Sequence, residues 1–202
     1  MAPVVVDPAA IRSFADAAAL ERWYRTHQAR DSELWLRLYK AGSGIASVSA
    51  REALDVALCW GWIDAIRKAY DAESFLQRYT RRRTTSSWSK ANIANVERLG
   101  AAGRMQPPGE AEVALAKADG RWERAYAGSK DMEFPADLAE AIAAVPEAQA
   151  TFERLTAQNR FALAYRVSSL KTAEGRRKRI AAFVEMLRAG DTIYPQSGVG
   201  RE

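Results

Sequence analysis

The chain has 202 residues, 48% of them hydrophobic, and 30 Lys and Arg against 25 Asp and Glu give it a formal charge of +5. That length can bury a real core as one large domain or two small ones, and the composition is that of a globular protein. No apolar run approaches the roughly 18 residues of a membrane-spanning helix. The start MAPVVVDPAAIRSF has neither the basic nor the apolar region of a secretory signal, and a lone cysteine, Cys59, excludes an internal disulfide framework, so the cytoplasm is the expected compartment.

In chain order, residues 8–30 read as a first helix carrying Ile11, Phe14, Ala18 and Trp23 on one stripe. ELWLRLYK at 33–40 alternates Leu34, Leu36 and Leu38 with Trp35, Arg37 and Tyr39, the period of a strand. A Gly–Ser loop spans 41–47. Ser49 and Glu52 then form a capping box that opens a helix to about Cys59, and Gly61 breaks it. From Trp62 the period returns to two, placing Trp62, Asp64, Ile66 and Lys68 on one side and Ile63, Ala65, Arg67 and Ala69 on the other. Asp71–Ala72–Glu73 makes the reversal, and SFLQRYTRR completes a hairpin.

Ser86 or Ser87 is the expected cap of a helix running to Ala102, with Gly103 as its left-handed terminator. MQPPGE reads as a stop, followed by a short helix at about 109–118. The chain then divides into a mixed domain over 1–125, a linker over 126–134, a helical domain over 135–190 and a tail over 191–202, whose YPQSGVGRE stretch from Tyr194 is expected to be frayed. Helices are expected at 136–145, 147–155, 157–170 and 173–189, with Pro146 able to start the second. Strands early and helices late make the fold α+β, a β-hairpin with antiparallel sheet and helices followed by a helical C-terminal part.

Of the familiar chemistries, few fit. One histidine, His27, and one cysteine cannot build a zinc site. A carboxylate site from Glu52, Asp55 and Asp64 is weakened by the capping duty of Glu52. A Cys59–His27 nucleophile competes with the plainer role of a small core side chain. No phosphate loop, nucleophile elbow or dinucleotide fingerprint occurs, and no cofactor is implied.

The arginine run at 78–83 is different. On a strand, Arg78 and Arg82 share one face with Leu76 and Thr80, and Arg81 and Arg83 share the other with Phe75, Gln77 and Tyr79. Both faces cannot be core. One reading is an edge strand charged against aggregation. The other is an anion site in which Arg78, Arg81, Arg82, Ser89, Lys90 and Asn92 supply donors at a helix start and Trp60, Trp62 and Trp88 form the walls. Asp64 on the neighbouring strand is either the mate of one arginine or the general base of an uncharacterised enzyme. A second basic set, Lys171, Arg176 and Arg179, reads as a solvated helix face or a further anion contact. Non-specific nucleic-acid association has only these clusters behind it, since no reading module is present.

The motif string as a whole resembles a known family. Ala41–Gly42–Ser43–Gly44, Ser49-x-x-Glu52–Ala53 and Ala57–Leu58–Cys59–Trp60–Gly61–Trp62–Ile63–Asp64 resemble the YdeI/OmpD-associated, or bacteriocin-protection, family. So do Arg78-x-x-Arg81–Arg82, Ser87–Trp88–Ser89–Lys90-x-Asn92, Gly103–Arg104–Met105 and Lys117-x-x-Gly120–Arg121–Trp122, over about 35–125. In the helical tail Lys171 fits, and Gly175–Arg176 stands where that family has Thr–Arg. The resemblance implies an α+β protein with a helical C-terminal part. It also implies protection against bacteriocins or cationic peptides and association with an outer-membrane porin, with no reaction or cofactor attached. The expectation from the sequence is a non-enzymatic resistance protein that binds an anionic ligand or an acidic protein segment.

Overall fold

The computed structural model describes residues 4–128 and 132–197. The fold is α+β, and the chain divides into two compact units between Ala125 and Tyr126. No helix among the described residues is long and apolar enough to cross a membrane.

The first unit is organised by β2 (Glu33–Tyr39), whose alternation buries Leu34, Leu36 and Leu38 on the helix-covered face and turns Trp35, Arg37 and Tyr39 to the other. Its N-terminal neighbour is β1 (Ile11–Arg12), paired in parallel with Trp35 and Leu36. A helix starting at residue 8 is therefore corrected. Pro8–Ala10 is a single 3₁₀ turn capped by Asp7, the next two residues are drawn into the sheet, and α1 (Ala17–His27) begins only where the Asp16 side chain accepts from the Ala19 N–H at 2.7 Å. Long-range strand pairing outweighs local helical periodicity here.

α2 (Ala50–Cys59) has the reciprocal capping box, the Glu52 N–H donating to Ser49 Oγ and the Ser49 N–H to Glu52 Oε2. β3 (Trp62–Ala69) and β4 (Ser74–Arg81) form the hairpin, giving the sheet order β1-β2-β4-β3. The expected alternation of β3 is corrected past Asp64, because a bulge puts two residues of β3, Ala65 and Ile66, against one of β4, Arg78: Asp64 faces Tyr79 but Arg67 faces Gln77. Arg67 and Asp64 thus share the helix-covered face. The buried Gln77 holds the bulge, its amide donating to the carbonyls of Ala65 and Ile66 and its oxygen accepting from Arg67 Nε at 2.9 Å.

α3 (Lys90–Ala101) starts later than the serines suggested. Ser86 Oγ accepts from the Arg83 N–H to close a turn, the buried Trp88 anchors an extended step, and Ser89 caps the helix through the Asn92 N–H. Gly103 closes it at φ +63°. Pro107 and Pro108 do not stop a helix; they open α4 (Pro107–Ala118), occupying the first positions, where the missing donors would have no partner anyway.

The second unit comprises α5 (Ala136–Ala143), α6 (Pro146–Glu153), α7 (Ala157–Ser168) and α8 (Ala173–Arg188) around Leu138, Ile142, Leu163, Val167, Phe183 and Leu187. The expected fraying from Tyr194 is corrected as far as residue 197. The buried Asn159 accepts from the Tyr194 N–H at 2.9 Å and donates to Tyr194 O and to Gln196 Oε1, and Gln196 reaches back to Arg154 O. Residues 198–202 lie outside the described ones.

Candidate functional site

Tryptophans carry large apolar surface, and the sequence around 60–88 settles them inside. Trp60, Trp62 and Trp88 are 7%, 1% and 2% exposed and belong to the core. Trp62 meets Tyr24 edge-on at 5.2 Å. Among the described residues none of the three indole N–H groups has a hydrogen-bond partner. Cys59 is in the same core, and burial raises its thiol to about 11, which suits packing and not nucleophilic attack. His27 stacks on Trp23 and bonds Thr26 Oγ1 at 2.6 Å.

The arginines diverge. Arg78 lies on the sheet face away from the helices, paired with Glu33 at 2.5 Å over the ring of Trp35. Arg81 sits on the helix-covered face at the exposed strand end, Nε donating to Asp31 O. Arg82 is past the strand and 6% exposed, its guanidinium 3.6 Å from the centre of the Trp88 ring and its Nη1 donating to Ser87 O. Lys90 is exposed at the first position of α3, behind the Ser89 cap; Asn92 is half-buried and meets that cap through its backbone.

Asp64 keeps an exposed side chain, yet desolvation raises its carboxyl, countered by its own backbone N–H and by the charges of Arg67 and Arg82. Next to it burial first, and then the Asp64 charge, raises Tyr79. Glu52 is committed to its cap, and Asp55 is held by Arg98 at 2.6 Å. Among the described residues no three His, Cys, Asp or Glu side chains gather as metal ligands would.

In the second unit Arg176 is a clamp. Its Nε and Nη2 donate to the two Asp137 oxygens at 2.6 and 2.7 Å, and its Nη1 donates to Val167 O. Lys171 is exposed, and the exposed Arg179 lies 5.7 Å from the Phe183 ring.

A concavity of the first unit lies elsewhere. A cavity of about 440 Å³ opens between α3 and α4, with Val96, Met105, Val113 and Trp122 as apolar lining and Glu97, Glu110 and Lys117 as charged lining. Gly100 and Gly103 keep the α3 wall low. It exists because α4 doubles back after the Pro107–Pro108 start and is pinned by the Gln106 N–H to Cys59 O. A ladder of contacts joins it to the hairpin end: Lys117 Nζ lies 5.1 Å from the Trp122 ring, Trp122 lies 5.1 Å from Trp88, and Arg82 covers Trp88. Reading the prolines as a stop hid the cavity. Its signals were the i, i+4 pairs Val96–Gly100 and Val113–Lys117 and the motif residues Gly103, Met105 and Trp122.

Comparison with known families assigns the halves separately. Residues 131–190, most of the helical unit, match the family described as bacteriocin-protection, YdeI or OmpD-associated. That supports the resemblance read from the sequence, with the match on the helices and not on the 35–125 string. No curated protein and no solved structure matches the chain. Residues 12–112 match a domain of unknown function (DUF8412) over half of the chain, and the protein belongs to that family.

Proposed function

We propose that this is a protection protein of the bacteriocin-protection type, acting by binding, whose mixed unit holds a small ligand in the cavity between α3 and α4. One observation carries this: the lining gathers Gly103, Met105, Lys117 and Trp122, residues of the motif string, around an apolar hollow of small-molecule size. The helical unit's family match supports the protective role. The test fills the hollow. Cells expressing the wild type should survive a bacteriocin challenge that kills the empty-vector strain, and Ala114→Trp, checked for an unchanged melting temperature, should lose that advantage. Undiminished protection by folded Ala114→Trp sinks the cavity. No protection by the wild type sinks the role.

An anionic ligand at the hairpin end is the alternative, favoured by the exposed Arg81 and by Lys90 at the start of α3. If that ligand is a substrate, Asp64, with its raised carboxyl, is the base. Sulfate, phosphate and nucleotides should then raise the melting temperature of the wild type and not of the Arg81→Ala/Lys90→Ala double variant; equal shifts in both would end this alternative.

A further inference from the structure

The cavity's charged groups are not equivalent. Glu97 belongs to the second half of α3 and Glu110 to the first turn of α4, so each helix contributes one carboxylate to the lining. Both side chains are exposed, and among the described residues no hydrogen bond or ion pair engages either carboxylate. Lys117, the cation of the lining, is directed at the ring of Trp122, whose quadrupole takes up part of its charge. The same lining holds the Trp122 ring and the Met105 and Val113 side chains, groups that are apolar and polarisable. A ligand matching this lining has an apolar body and a positive head.

Resting on the cavity reading above, we propose that the ligand is a small organic cation: an amine whose aromatic or branched body lies against Trp122 and Met105 and whose ammonium is held by Glu97 and Glu110. The ammonium–carboxylate attraction is that of a partly solvated pair, since both carboxylates are exposed, and the apolar contact supplies the rest. A neutral analogue of the same shape keeps only the second part. An anionic one meets two carboxylates and is rejected.

The probes are 2-phenylethylamine, 2-phenylethanol and 3-phenylpropionate, titrated into the full-length protein while tryptophan emission is followed. The amine should bind about ten-fold more tightly than the alcohol, a difference of about 1.4 kcal/mol, and the carboxylate weakest. Glu97→Gln/Glu110→Gln should bring the amine down to the alcohol and leave the alcohol unchanged. Equal binding of all three probes, or preference for the carboxylate, overturns the cation while leaving the cavity standing if Ala114→Trp abolishes that binding. Amine binding that survives Ala114→Trp overturns both. No response to any probe overturns the cation, and the survival assay with Ala114→Trp then judges the cavity by itself.

Discussion

The guanidinium of Arg82 lies 3.6 Å from the centre of the Trp88 ring, and both side chains are buried. A cation over an indole face in a desolvated setting is worth about 2 kcal/mol, and removing the long stem also leaves a void. Arg82→Ala should therefore cost about 3 kcal/mol in urea unfolding followed by tryptophan emission. Arg82→Lys should recover only part of that, because an ammonium lacks the planar stacking surface. A loss below about 0.5 kcal/mol, the size of an ordinary surface change, would make the stack incidental.

Gly109 and Gly103 separate two reasons for a glycine. A side-chain carbon on Gly109 would fall on the carbonyl oxygen of Cys59 and within 2.9 Å of Leu58 O, both backbone atoms that cannot step aside. Gly109→Ala should push α4 off α2 and cost about 3 kcal/mol. At Gly103 the space is open, and only the positive φ of +63° opposes a side chain. Gly103→Ala should cost about 1 kcal/mol. Equal melting-point losses for the two would refute the close-approach account.

Much of this arrangement was legible, and the misses have physical causes. β2 could be read because one face of it is core, which ties Leu34, Leu36 and Leu38 to a strict period of two. The capping box of α2 is a purely local motif. By contrast, the bulge after Asp64 is imposed by Gln77, a residue ten or more positions along the chain, and local alternation carries no trace of it. The arginine run marked a real concentration of charge, but a strand delivers alternate residues to opposite faces and Arg82 lies past the strand's end. Arg78, Arg81 and Arg82 consequently bond Glu33, Asp31 and Ser87 in separate places. The α3–α4 cavity depends on two prolines beginning a helix, which the dipeptide alone does not distinguish from ending one.

Asn159 is 1% exposed and spends both its donor and its acceptor capacity on the chain at Tyr194 and Gln196. Asn159→Ala strands the Tyr194 N–H and frees the segment, so a loss of about 2 kcal/mol is expected. Hydrogen exchange of the Tyr194 and Gln196 amides should accelerate in step. Asn159→Asp keeps the acceptor but turns a negative oxygen toward Tyr194 O and Gln196 Oε1, and should be at least as damaging. Unchanged exchange in both variants would mean that the tail is held by something other than this clamp.

The Asp137–Arg176 pair gives the helical unit an acid-side dependence whose sign is fixed by the geometry. The side-chain hydrogen bonds from Arg176, reinforced by its charge, hold the Asp137 carboxyl below the usual carboxylate range. A native value below the unfolded one, about 3.9, means that the unfolded chain binds the proton more readily. The stabilisation is therefore present in full above about pH 5 and fades as pH falls through 3.9 and then through the lower native value. Arg176 is raised in return, which moves its own titration further above any working pH. Asp137→Asn should lower stability at pH 7 and flatten the decline below pH 4, with Arg176→Gln doing the same. In a double-mutant cycle the coupling should be present at pH 7 and largely gone at pH 2.5. Every tryptophan lies between residues 23 and 122, so the change belongs to the far-ultraviolet circular dichroism of the helices and not to tryptophan emission. A coupling that persists unchanged at pH 2.5 would show that the pair acts through packing, with its charge irrelevant.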